Sequence, residues 1–297
     1  MFGTSQRTRA SRKVNQCPEE RRETLNRMVE TDQERDGLAW QTGVWNRISD
    51  IYLREIDQRF APVVEAVIAR AALTSGEEVL DLGTGTGAVA QRAAASVHPR
   101  GCVTGVDISP DMLALAQRRT QSICNVSLLE GRAESIPADD SAFDVVLACL
   151  SLMYAINREA AAREIARVLR PGGRLVAAVW AGAEQCDIVL FQQTAGRFAD
   201  PPSVPGVGPG ALADPSTFLR QLVTAGIEAH VETETLSFDF ADFASAWDAL
   251  AGVTTAHLPP ERQHEAKSAV MAAMYPHGDG WRRFRNLTQF IIGRAAR

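Results

Sequence analysis

Residues 79–87 read VLDLGTGTG and hold the densest set of chemically suggestive groups in the chain. Gly83, Gly85 and Gly87 leave a stretch of backbone without Cβ atoms, so a ligand can approach the main chain closely where a strand gives way to a helix. Glycine spacing alone does not choose that ligand, because Gly83, Gly85 and Ala88 also satisfy the dinucleotide pattern GxGxxG/A. Asp81, two residues before the first glycine, bears on the choice through charge. A carboxylate there would repel a pyrophosphate and attract the ammonium and sulfonium of S-adenosylmethionine, directly or through water. A purely structural use, capping the turn that follows, stands beside this reading. Asp107 ends the run VTGVD, 24 residues after Gly83, where a carboxylate can accept both hydroxyls of a ribose. That need is common to NAD and S-adenosylmethionine, and the structural alternative is a charge at the start of a helix capped by Ser109.

These groups need a scaffold, and the pattern around them supplies one. Short β-branched runs at 79–82, 103–107, 126–130, 144–149 and 174–180 alternate with helical patterns, the signature of a parallel sheet with crossover helices. Ser109 and Pro110 open one helix, and another over residues 158–169 meets the stop Pro171-Gly172-Gly173. A helix over 215–225, strands over 230–238 and 286–293, and a mostly helical stretch over 241–275 broken at Pro259-Pro260 complete the pattern. Over residues 40–72, Trp45, Ile48, Tyr52, Ile56, Phe60, Val63 and Val67 recur at three- and four-residue spacing, predicting amphipathic helices that Pro62 separates. The expectation is an α/β fold with a Rossmann-like, doubly wound sheet of about seven strands, mostly parallel with an antiparallel last strand. It carries an N-terminal helical segment and a helical cap insertion. Residues 1–36, crowded with Arg, Glu, Gln, Ser and Thr, read as a mobile or loosely helical extension. Residues 37–297 read as a single domain: helices over 37–72, a cofactor-binding core over 73–180, and substrate-side loops, cap helices and last strands over 181–297.

Composition narrows the partners. With 45% hydrophobic and 23% charged residues among 297, the chain should fold around a sizeable core. A net charge of -5 without a long basic stripe argues against nucleic acid, including RNA at the short cluster Arg282, Arg283 and Arg285. Five widely spaced cysteines without a CxxC pair suggest neither a disulfide framework nor a metal site, and fit a reducing cytoplasm. No apolar run approaches the roughly 20 residues of a membrane span, and no export signal is read.

In this order and spacing, VLDLGTGTG, VTGVDISPDML, GRAESIP, FDVVLAC and LRPGGRL resemble the class I methyltransferases of the ubiquinone/menaquinone-biosynthesis type, over residues 40–180. The resemblance implies S-adenosylmethionine as cofactor, with Gly83, Gly85 and Thr86 along its methionine part and Asp107 on the ribose. It further implies Ile108 and Met112 on the adenine faces, Ala133 and Glu134 at the adenine edge, Cys149 beside the methionyl group and Tyr52 folded over the cofactor. Arg132 departs from the family pattern, which often has Asp or Asn there to accept from the adenine amino group. Arg cannot accept a hydrogen bond, so Glu134 or the backbone takes that role, or Arg132 turns to solvent.

The reading that follows is methyl transfer to a small-molecule acceptor, catalysed mainly by alignment. His257, His264 and Tyr154 are the candidates for a base, although a lone histidine is more often a surface residue. Residues 36–52, 181–210 and 241–280 should wall the acceptor, with Trp40, Trp45, Trp180, Phe191 and Trp247 shaping an apolar cavity for an aromatic or isoprenoid compound. Core packing is the plainer use of each aromatic. An NAD(P)-dependent oxidoreductase and a non-catalytic nucleoside-binding protein are the competing readings.

Overall fold

Strands buried on both faces need helices above and below them. The computed structural model, which describes residues 32–200 and 204–296, builds one seven-stranded sheet in the order β3-β2-β1-β4-β5-β7-β6. The strands are β1 Glu78–Leu82, β2 Cys102–Asp107, β3 Val126–Glu130, β4 Phe143–Cys149, β5 Leu169–Trp180, β6 Ile227–Phe240 and β7 Arg282–Ala295. The first five are parallel, while β7 runs antiparallel to both of its neighbours, β5 and β6. Val79, Leu80, Val145, Val146, Leu147 and Val176 are wholly buried at the centre, which is why these strands read as continuous apolar runs.

The helices are α1 Asp32–Ile51, α2 Asp57–Ala71, α3 Ala88–Val97, α4 Pro110–Thr120, α5 Arg158–Val168, α6 Asp187–Gly196, α7 Ser216–Thr224, α8 Phe243–Leu250, α9 Gly252–Thr255 and α10 Pro260–Met274. Most of the expected N-terminal extension, residues 1–31, lies outside the described residues, and α1 begins within its last stretch. Among the described residues no helix is long and apolar enough to cross a membrane, and no cluster of His, Cys, Asp and Glu could hold a metal ion.

Two boundaries differ from the sequence pattern. Pro62 does not separate helices: it lies inside α2, where burial of Phe60, Val63, Val64 and Val67 offsets the one hydrogen bond that a proline forfeits. The division comes earlier, at a π-helical turn over Tyr52–Ile56 in which the Asp57 N–H reaches back to the Tyr52 carbonyl. The Pro171-Gly172-Gly173 stop ends α5 at Val168, but the chain enters β5 at once rather than after a loop. The register jumps there from Phe143↔Leu169 to Val145↔Arg174, a bulge that accommodates a proline with no N–H and a glycine at φ +76°.

The α1–α2 segment is fastened across the carboxyl ends of the strands. Gln41 donates to the Tyr154 carbonyl at 2.7 Å, and Ser109, the N-cap of α4, donates to Asn46 at 2.6 Å. At the head of α2, Asp57 accepts from Arg119 at 2.5 Å and from the Thr86 hydroxyl at 2.5 Å, with both charged side chains only 17% exposed. Removing either charge leaves its partner desolvated. Asp57→Ala and Arg119→Ala should each lower stability by about 1–3 kcal/mol in urea unfolding. The double variant should lose less than the sum by at least about 0.5 kcal/mol, and strictly additive losses would deny the clasp any energetic role.

Candidate functional site

The chain leaves β1 toward β2 and β3 on one side, while β4 and β5 lie on the other, so crossovers diverge at the β1–β4 boundary and open a crevice beyond the strand ends. A cleft of about 780 Å³ lies there. Leu82, Gly83 and Gly85 line it after β1, Asp107 and Ile108 after β2, and Cys149, Leu150 and Ser151 after β4, under a roof of Leu38, Gln41 and Trp45 from α1.

The glycine loop is shaped by its neighbours. The N–H groups of Gly83 and Thr84 both donate to the Val106 carbonyl, at 2.8 and 2.9 Å, which folds the loop back over β2. Gly83 has φ +76°, and an added Cβ would stand 2.3 Å from the Cβ of Ser151, whose hydroxyl is held by the Leu82 carbonyl at 2.6 Å. At Gly85, φ is +53° and nothing lies within 4 Å of where a Cβ would be. That space, free of side chains beside exposed backbone, is what a ligand lying against the main chain requires.

Asp107 is half-buried and engaged on both oxygens: Oδ2 accepts from the Gly85 N–H at 2.8 Å and Oδ1 from the Ser109 N–H at 2.9 Å. Burial raises its pKa, against the opposing pull of the Ser109, Gly85 and Ile108 N–H groups. A carboxylate has about four acceptor directions, so two remain for the paired hydroxyls of a ribose.

Nine of the eleven residues expected at the site line this one cleft: Tyr52, Gly83, Gly85, Asp107, Ile108, Met112, Ala133, Glu134 and Cys149. Asp81 and Thr86 do not. The Asp81 carboxylate is wholly buried beneath the start of α3, with Oδ2 accepting from the Thr84 hydroxyl at 2.6 Å and Oδ1 without a hydrogen-bond partner. The Ala90 N–H favours its charge without reaching Oδ1 in hydrogen-bond geometry, so the structural use as a support for the turn is the one observed, and any pull on a cation acts from beneath the cleft floor. The Thr86 side chain is turned away to Asp57 and Arg119.

Arg132 stays on the cleft wall, beside Gly131 and Ala133. Glu134 directs one oxygen to the backbone N–H groups of Ile156, at 2.7 Å, and Asn157, at 3.1 Å, which fixes the GRAESIP segment against the head of α5. Burial pushes the Tyr154 phenol and the Cys149 thiol far up, and pushes Tyr52 well above its ordinary value, so all three stay protonated at neutral pH. In that form the Tyr154 phenol is a hydrogen-bond donor. His257 and His264 are exposed and lie outside the cleft. Of the aromatics expected to wall the acceptor, Trp45 and Trp180 line a second chamber next to the cleft. Trp40 is 38% exposed, and Phe191 and Trp247 pack on one another in the core at 6.0 Å between rings. Leu38 and Gln41 belong to the 36–52 stretch expected to wall the acceptor, and they instead roof the cleft, where with Trp45 they fall three and four residues apart on one helix face.

Residues 79–173 match the family model described as a methyltransferase domain. The chain is 33% identical over 168 residues to a demethylmenaquinone methyltransferase of Tropheryma whipplei, covering 56% of this chain and 65% of that protein. It is 30% identical over 158 residues to a ubiquinone/menaquinone biosynthesis C-methyltransferase of Shewanella woodyi, covering 50% of this chain and 61% of that one. The matched region thus spans less than two thirds of either relative. The YcgJ protein of Bacillus subtilis shares the fold, with a TM-score of 0.58 and 20% identity over 79% of this chain and 98% of that one.

Two contrasts follow from the loop and its floor. Gly83→Ala meets both a left-handed φ and the Ser151 side chain, and should cost about 2–4 kcal/mol in urea unfolding, whereas Gly85→Ala meets only the φ and should cost about 1 kcal/mol. Equal costs would mean that Ser151 does not constrain the loop. Burial raises Asp81 from 3.8 to about 7. Its contribution to stability is therefore complete below the unfolded value and is lost as pH rises through about 7. Between pH 5 and pH 8 the natural chain should lose about 2 kcal/mol relative to Asp81→Asn. Parallel stability curves for the two would show that Asp81 does not titrate there.

Residues 79–173 thus match a methyltransferase domain, carried on a sheet whose order opens its crevice at the β1–β4 boundary.

Proposed function

We propose that the protein transfers the methyl group of S-adenosylmethionine to a small, apolar or aromatic acceptor, and that its own residues contribute alignment and exclusion of water rather than a base. The observation that carries the reading is the gap at Gly85 beside the Asp107 carboxylate, inside the matched domain. In this reading Gly83 and Gly85 hold the methionine portion and Asp107 accepts the ribose hydroxyls. Ile108 and Met112 flank the adenine, Ala133 and Glu134 stand at its edge, and Cys149 and Tyr52 border the reacting end. Asp81 and the Thr86 side chain act from behind the loop, on its shape and potential. When bound, the cofactor supplies an electrophilic methyl carbon on a sulfonium. The Tyr52 and Tyr154 phenols, held neutral, orient an acceptor by donating hydrogen bonds, and α1 closes the crevice to solvent.

In this reading residues 73–180 form the cofactor-binding core, the N-terminal helices over 37–72 roof it, and residues 181–297 supply the acceptor side. The names of the two relatives point to quinone chemistry for those proteins, which agrees with an apolar ring as the acceptor class here. A cytoplasmic location is supported by Cys102, Cys124, Cys149 and Cys186, all unpaired. Nucleic acid is disfavoured by the net charge of -5.

S-adenosylhomocysteine at about a hundred times its Kd should stabilise the protein by about 2.7 kcal/mol, seen as a rise in Tm, while NADH leaves Tm unchanged. Asp107→Ala and Gly85→Ala should weaken the nucleoside by at least about tenfold, or 1.4 kcal/mol, and still unfold cooperatively. A response to NADH in place of S-adenosylhomocysteine would replace methyl transfer with an oxidoreductase. Label transfer from the methyl group to members of an apolar phenol panel tests the reaction itself.

A further inference from the structure

Behind the cleft lies a second chamber, which together with the solvent at its mouth encloses about 550 Å³ and shares Trp45, Tyr52, Tyr154 and Leu150 with the cleft. The three rings form a partition: Trp45 meets Tyr154 edge-on at 4.8 Å between centroids and Tyr52 at 6.3 Å. On the inner side the walls come from α1, the π turn, α2, the end of β5, α6, α8 and α9. No Asp, Glu, His, Lys or Arg is among the lining residues.

The polar groups that do face this space are few and neutral. Gln192 is the one side-chain amide in the lining; its Nε2 donates to the Leu250 carbonyl at 2.7 Å and its Oε1 accepts from the Thr254 hydroxyl. An amide has two N–H donors and two acceptor lone pairs, so one of each is left to offer. The Tyr52 and Tyr154 hydroxyls form no hydrogen bond to another described residue, and burial keeps both protonated. A charged ligand entering here would lose its hydration with no counter-ion to replace it. A wholly apolar ligand would leave the free valences of Gln192 unsatisfied. A flat ring with a neutral oxygen meets both conditions, and the edge-on aromatic walls suit its faces.

We propose that this inner chamber is the acceptor site, that it admits an uncharged ring compound bearing a hydroxyl or carbonyl oxygen, and that Gln192 is the residue that selects for that oxygen. Its role as acceptor site rests on the methyl-transfer reading, whereas the ligand class rests on the chamber walls alone. The partition then presents the ring to the cofactor cleft between Trp45, Tyr52 and Tyr154.

The test uses the full chain, saturated with S-adenosylhomocysteine, titrated at pH 7.5 with 2-naphthol, its anionic analogue 2-naphthoate, and naphthalene, following tryptophan fluorescence. 2-Naphthol should bind at least about tenfold more tightly than 2-naphthoate. Val253→Trp, at a half-buried position of the chamber wall, should abolish that binding while the Tm shift caused by S-adenosylhomocysteine is retained. Gln192→Leu should weaken 2-naphthol and leave naphthalene as tight or tighter, an outcome that general loosening of the fold would not produce. Equal affinity for naphthol and naphthoate, no binding of either, or naphthol binding that survives Val253→Trp would overturn the proposal. Loss of the S-adenosylhomocysteine shift in the natural chain would instead remove the methyl-transfer reading, with the naphthol and naphthoate titrations still judging the ligand class.

Discussion

The carboxylate of Asp107 joins three parts of the protein that are remote in sequence. It receives the Gly85 N–H from the loop after β1 and the Ser109 N–H from the head of α4, and Ser109 in turn donates to Asn46 on α1. Three hydrogen bonds thus set the glycine loop, the end of β2 and the roof of the cleft in one register. Each backbone donor also favours the ionised carboxylate, against the cost of burying it. An unpaired carboxyl at this depth would protonate and lose both its grip on the loop and half of its capacity to accept from a ligand. The shape of the crevice and the chemistry it offers therefore depend on the same two N–H groups.

The same physics explains which parts of the site could be read from residue order. Gly83, Gly85, Asp107 and Ile108 sit at strand ends and in the turns just after them, and Met112 in the first turn of the helix that follows, so local spacing decides where such residues emerge. Leu82 lines the cleft while the Asp81 carboxylate is buried behind it against the Thr84 hydroxyl, still near enough to Asp107 and Cys149 for its charge to act on them. The Thr86 hydroxyl is claimed by Asp57, 29 residues earlier in the chain, a contact that exists only once α2 has docked and that local spacing does not show. The aromatics divide for a similar reason. Trp45 and Trp180 reach the inner chamber, but Phe191 and Trp247 face each other in the core, and composition does not separate a lining ring from a packing ring. The strands themselves were legible because burial on both faces writes them as continuous apolar runs.

The two chambers also differ in electrostatic character, and the difference follows from which strand ends supply them. The outer cleft holds Asp107, Glu134 and Arg132, groups tied to backbone N–H donors or standing near water. The inner chamber is closed where apolar residues of α1, α6 and α8 converge. A charge there would have neither water nor partner. Tyr52 and Tyr154 mark the boundary because both line the cleft and the chamber alike, and a phenol combines an apolar ring with a polar hydroxyl.

That boundary depends on the π turn. Ile48, Tyr52, Ile56 and Phe60 are spaced four residues apart and all line the inner chamber. In a regular α-helix each four-residue step overshoots a full turn by roughly 40°, so three steps would carry Phe60 about 120° away from Ile48 and off the chamber wall. The wider turn over Tyr52–Ile56 advances fewer degrees per residue and absorbs most of that drift. It keeps Tyr52 in the partition while α2 still packs Phe60 edge-on against Trp180, at 5.5 Å between rings. A helix break at Pro62 would have come too late to correct the phase, since the four aligned residues all precede it. The irregular turn is therefore the feature that lets one continuous helical segment roof the polar cleft with its first half and wall the apolar chamber with its second.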